Sequence, residues 1–231
     1  MENNGPYIEE LCDEEWLIKL AYLADIFEKI NSASLSQQGQ KATIFDANNK
    51  VKAFKAKLRF WHESAQGKNF GFLNRVTEML KNLKDEEILK NLQEVTSEHL
   101  SALISTTEKY FPSENEKKIE EKHWVANPFG VVKKPENLTP NLYELLLELK
   151  TNTILMEQFK EMGSQKFWLD VNEEFYILKK LAIETLLPFP TTYKCEAGFS
   201  AYSAMKTKYR NRLNCEPDMI LQLSDTEPDL K

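Results

Sequence analysis

Glycine and cysteine are both scarce, with seven and three residues respectively in a chain of 231. Few glycines beside plentiful Leu, Lys, Glu and Asn disfavour a turn-rich β fold and favour helices. The three cysteines, Cys12, Cys195 and Cys215, leave at least one unpaired, and no C-x-x-C occurs. A disulfide scaffold is therefore excluded, and a reducing, intracellular compartment is the expectation. No apolar run reaches the ~18–20 residues that a membrane span needs. The opening stretch, MENNGPYIEELCDEEW, is acidic and has no basic n-region, unlike a secretory signal. P-loop, G-x-G-x-x-G and G-x-S-x-G patterns are all missing. His62, His99 and His123 stand far apart with no Cys, His or Asp at ligand spacing, so neither metal nor cofactor is expected.

What is present suits a helical protein. Apolar residues make up 42% and charged residues 29%, enough for a real core in one large domain or two small ones. The total of 30 Lys+Arg against 36 Asp+Glu gives −6, which argues against blanket nucleic-acid binding. By segment the balance is −6 over residues 1–30, +6 over 50–81 and +4 over 189–213. Such alternation usually reflects the solvated faces of helices.

Apolar periodicity marks the elements. Trp16, Leu20, Leu23, Phe27 and Ile30 step by 4, 3, 4, 3 and predict a helix over about 14–31 with that stripe inside. Ser32 to Gln40 reads as a loop. Ile44, Ala47, Val51, Phe54, Leu58, Trp61 and Ala65 form a second stripe, whose first turn is weakened by Asn48 and Asn49, so a start nearer Lys50 is expected. Lys50, Lys52, Lys55, Lys57 and Arg59 flank it on both sides. A third helix is expected over 70–83, and a fourth after an Asp85 N-cap, ended by Pro112. His99 beside that helix's inner stripe suggests a partly buried structural residue. Residues 113–122 read as a charged connector or helix end, and HWVANPFGVV (123–132) as extended structure docked through Trp124 and Phe129. Thr139-Pro140 starts another helix. A short helix over 153–162 stops at Gly163, Asn172 caps the next, and 192–213 is helical again. Trp16, Phe27, Phe54 and Trp61 are the expected core aromatics.

The most informative stretch is FPTTYKCEAGFSAYSAMKTKYRNRL, residues 189–213. Its FPTTYKCEAGFSA resembles the C-E-x-x-F-S block of the hAT superfamily of DNA transposases, near the end of their RNase H-like domain. KTKYRNRL follows it. WLIKLAYLADIF (16–27), KVKAFKAKLRFW (50–61) and KYFP ahead of a Trp-containing N-P-F fit the same family. Within that superfamily the chain more closely resembles the vertebrate genes domesticated from such elements, of the zinc-finger BED and transcription-factor-II-I-repeat type, over nearly its whole length.

That resemblance implies a mainly α chain: a helical insertion (1–150) plus the C-terminal dimerisation region (151–231) of an RNase H-like transposase domain, its nuclease β-sheet largely missing. The family's nuclease uses two aspartates and a glutamate to hold two divalent metals. Glu196 matches the glutamate, while the strands bearing the aspartates have no counterpart in the chain. Two-metal chemistry needs several converging carboxylates, and neither spacing nor flanking pattern recommends Asp25, Asp46 or Asp170 as substitutes. The expectation is a non-enzymatic protein, with Glu196 a relic that also suits a helix N-terminal turn. The BED zinc finger is absent, and a nuclear location is implied.

The expected mode of action is protein–protein contact, with a second copy or a related transposase-derived protein as partner. Phe199, Tyr202, Leu221 and Leu223 are the interface candidates. The alternative is a nucleic-acid-binding module using residues 50–59 and 206–212, with Lys206, Lys208, Arg210 and Arg212 as contacts. Lys206/Arg210 and Lys208/Arg212 lie on different helix faces, so any such contact is expected to be weak. No membrane partner is expected.

Overall fold

The computed structural model describes residues 13–37, 42–81, 85–188 and 193–206, together with 214, 216, 217 and 219. Ten α-helices are described: α1 (Glu14–Gln37), α2 (Ile44–Gln66), α3 (Asn74–Leu80), α4 (Glu86–Tyr110), α5 (Ser113–Glu121), α6 (His123–Ala126), α7 (Pro140–Thr151), α8 (Thr153–Asp170), α9 (Tyr176–Leu186) and α10 (Tyr193–Met205). Short 3₁₀ turns occupy Pro128–Gly130 and Glu173–Phe175. No strand occurs among the described residues. The mainly helical expectation holds.

Local chemistry sets the helix ends. Thr43 and Asp46 form a capping box: the Thr43 hydroxyl accepts from the Asp46 amide at 3.3 Å, and the Asp46 carboxylate accepts from the Thr43 amide at 2.9 Å. This starts α2 at Ile44, six residues before the start that Asn48 and Asn49 suggested, and Asn48 is buried within the helix. Asp85 caps α4 as expected, accepting from Glu87 at 2.8 Å. Thr139 and Pro140 open α7 as expected. Asn152 caps α8, accepting from Ile154 and Leu155 at 3.0 and 3.2 Å.

At Gly163 φ is +73°, a conformation that glycine adopts without strain. The expected break is therefore there, but helix resumes beyond it to Asp170. Helix α1 continues to Gln37, through the first part of the loop expected from Ser32, and the rest of that stretch lies outside the described residues.

Two hydrophobic clusters organise the helices. The first joins Ile18, Tyr22 and Ile26 of α1, Leu58, Trp61 and Ala65 of α2, Val76 of α3, and Leu92 and Leu100 of α4, with Phe70 and Leu73 between. The second gathers Trp124 and Val125, Leu146 and Leu149, Leu155, Phe167 and Trp168, and Phe175, Leu178 and Ala182. It also takes Phe45, from the first turn of α2. One helix thus enters both clusters.

Two expectations fail here. The stretch 123–132 is not extended: α6 and a 3₁₀ turn occupy it, with the Asn127 side chain accepting from the Gly130 amide at 3.1 Å. Adjacent Trp124 and Val125 are both buried, which a one-faced strand does not allow but a short helical turn does. Four of the five residues of the α1 stripe are also on the wrong side, and only Ile30 packs against the first cluster. Trp16 and Phe27 are exposed, whereas Phe54 is half-buried and Trp61 buried. The buried side of α1 is the less regular set Ile18, Ala21, Tyr22, Asp25 and Ile26.

Candidate interaction surface

Helix α1 is apolar on two faces. Trp16, Leu20, Leu23 and Phe27 are exposed by 38, 47, 41 and 62%. At 3.6 residues per turn their common direction lies about 160° from that of the buried set. Nothing in the first cluster reaches round to them. Tyr22 on the inner side shares a 2.7 Å hydrogen bond with Nδ1 of His99 on α4, and burial pushes the Tyr22 phenol up. Asn91, two turns before His99, donates to Glu15 of α1 at 3.5 Å. Val95 lies midway on that same row of α4 and is itself exposed, so it borders α1 with further apolar surface.

The inner side of α1 also carries a buried carboxylate. Asp25 accepts from the amides of Arg75 and Val76 at 2.8 and 3.2 Å and from Arg75 Nη1 at 2.8 Å. Leu73, the residue before α3, offers no side-chain cap, so Asp25 does that work from fifty positions away. Asp25→Ala should cost about 2 kcal/mol, the upper end of a cap deletion, measured by urea unfolding. Asp25→Asn should lose less, since its amide oxygen still accepts.

Alongside lies an open groove of about 700 Å³ between α1 and α2, lined by Lys29, Lys50, Lys57, Phe54, Phe60 and Trp61 among others. Lys29 rests over the Trp61 ring, 5.2 Å from its centroid. Of the five cations in residues 50–59, two are paired with carboxylates of the same chain. Lys52 pairs with Glu120. Lys55 is buried, and its ammonium meets Glu108 at 2.8 Å, Glu116 at 2.5 Å and the Phe111 carbonyl. Burial alone would lower the Lys55 pKa, but the hydrogen bonds to Glu108 and Glu116 win and hold it above its ordinary value. Sequence reasoning placed Lys55 with the solvated flank; only the arrival of α4 and α5 shows otherwise.

On α10, Phe199 is 70% and Tyr202 41% exposed, one turn apart, and Lys206 Nζ sits 5.2 Å from the Tyr202 ring centroid. The Glu196 backbone lies in α10, while its side chain falls outside the described residues. Lys208, Arg210, Arg212, Leu221 and Leu223 also lie outside them.

The other carboxylates weighed for metal binding are dispersed. Asp46 serves the α2 cap, Asp25 the α3 cap, and Asp170 ends α8. No group of three or more His, Cys, Asp or Glu able to hold an ion occurs among the described residues. Those residues do not fit a two-metal centre. No described helix is long and apolar enough to cross a membrane.

Fold and surface define an all-helical scaffold, among the described residues, with large apolar side chains turned outward on α1 and α10. Residues 1–66 match the model of the FAM200/GTF2IRD2 helical domain. The chain is similar to the Bos taurus protein named General transcription factor II-I repeat domain-containing protein 2, at 24% identity over 226 residues. That alignment covers 97% of this chain and 23% of the relative, so the chain spans about a quarter of that protein's length. No solved structure matches.

Proposed function

We propose that this is a transposase-derived, non-catalytic protein that acts through protein–protein contacts, including self-association, in the nucleus. The likeness to the FAM200/GTF2IRD2 helical domain and the hAT-like C-E-x-x-F-S block of residues 195–200 support the descent. The observation that carries the mode of action is the outward apolar face of α1. Monomeric soluble proteins rarely expose contiguous apolar patches larger than a few hundred Å², and such patches mark interaction sites.

A second reading, nucleic-acid contact, has the lysine-lined groove between α1 and α2 in its favour. Against it, Lys52 and Lys55 are already paired with carboxylates of α4 and α5. Sedimentation at low and high salt, with and without duplex DNA, separates the two. Apolar association should persist in high salt. DNA binding should weaken with a log–log slope of about −0.9 per phosphate contacted. A monomer that shifts only with DNA at low salt would replace the first reading by the second. Metal-dependent DNA nicking that vanishes in Glu196→Gln would overturn the non-catalytic part.

A further inference from the structure

We infer that α1 is a self-pairing helix: the outer faces of two copies meet antiparallel, about a twofold axis between Ala21 and Tyr22. The inference rests on the protein-contact reading and names its surface and its partner. The order of the four exposed side chains is aromatic, leucine, leucine, aromatic, at positions 16, 20, 23 and 27. Reversed, it reads the same. In an isologous antiparallel pair each residue faces the one whose number completes the same sum, so Trp16 meets Phe27 and Leu20 meets Leu23. The 4, 3, 4 spacing is that of a coiled-coil seam.

Charge at the seam favours this orientation. Asp13 continues the register of the stripe toward the N-terminus, and in a parallel pair it would stand beside its own copy. In the antiparallel pair Asp13 instead shares a layer with Ile30, so the two carboxylates stand apart. Lys19, beside the seam, is neutralised by Glu15 of its own helix at 2.7 Å. From Trp16 to Phe27 the seam is about 16 Å long. A contact of that length between two single helices buries less than the about 1,600 Å² of a standard interface, so reversible association in the micromolar range is the corresponding strength. A different macromolecule would not be expected to require a palindromic order.

The test uses the full chain. Wild type should dimerise in sedimentation at roughly 10–100 µM, with little change in high salt. Leu20→Glu and Phe27→Glu should each weaken dimerisation at least about ten-fold. Because both side chains are exposed, helix content and melting temperature should stay close to wild type, which guards against a folding artefact. In a background with Cys12, Cys195 and Cys215 changed to Ser, a mixture of Leu20→Cys and Leu23→Cys chains should form a mixed disulfide on oxidation. Neither variant should cross-link well to itself, because the Cα atoms of a disulfide stand about 4.4–6.8 Å apart. Efficient Leu20→Cys self-linkage would indicate a parallel pair and overturn the arrangement. Association that survives Leu20→Glu and Phe27→Glu would overturn α1 as the surface while leaving the protein-contact reading intact. A wild-type monomer throughout that range would overturn self-pairing outright.

Discussion

Trp168→Ala is expected to be the most damaging single truncation, costing about 4–5 kcal/mol in equilibrium denaturation. Trp168 is fully buried, and its ring stands edge-on to Trp124 at 5.6 Å and to Phe167 at 5.3 Å. Phe167 continues the contact to Phe159 and Phe129, at 5.3 and 5.8 Å. The indole Nε1 donates to the Val125 carbonyl at 2.8 Å, tying α8 to α6. Alanine would open a cavity among packed rings and orphan that carbonyl. Trp168→Phe, which keeps most of the apolar volume, should lose about 1–2 kcal/mol, mainly the hydrogen bond. Equal losses for the two variants would mean that the polar contact, rather than the volume, dominates.

The second large effect is expected at Lys55. Lys55→Met removes the cation from between Glu108, Glu116 and the Phe111 carbonyl, and should destabilise the protein by about 3 kcal/mol. Glu116 is mostly buried and would be left as an uncompensated charge. Adding Glu108→Gln and Glu116→Gln to Lys55→Met should recover part of the loss, because the repulsion disappears with the charges. Additive losses in the triple variant would show that packing of the lysine stem, not charge, accounts for the effect.

This cluster also has a pH signature. Hydrogen bonds from Lys55 and then from the Ser113 hydroxyl and amide draw the Glu108 carboxyl from its ordinary value of 4.5 down to about 2. A depressed acid pKa contributes stability that is fully present above the unfolded value and lost as pH falls toward the folded one. Stability should therefore decline between about pH 4.5 and 2, and Glu108→Gln should flatten that part of the profile. An unchanged slope in the variant would assign the acid loss to other carboxylates.

Features made by neighbouring residues were readable in the sequence. The Asp85 cap, the Thr139-Pro140 start and the break at Gly163 each depend on a few consecutive residues, and each is found. Thr43-x-x-Asp46 was equally local and would have given the true start of α2, had it been set against the poor propensity of Asn48 and Asn49. The Asp25 cap on α3 had no such signal, because donor and acceptor are fifty positions apart. Lys55 looks like Lys52 or Lys57 until α4 and α5 surround it. On α1, periodicity found an apolar face but could not say which of two faces meets the core. The regular stripe is outside, and the buried face includes a carboxylate and an alanine, which dilute its pattern.

Helix α2 carries a consequence for how the protein comes apart. Its first turn anchors Phe45 among Trp124, Leu146 and Trp168, and its last turns hold Trp61 and Ala65 among Tyr22, Phe70 and Leu73. Lys55, in the middle, is clamped by carboxylates from the α4 and α5 helices. Neither cluster can melt completely without releasing an end of this shared rod, and a released end weakens the other's hold. Heat should thus find one cooperative unit rather than two, with injuries as distant as Trp168 and Trp61 lowering the same transition.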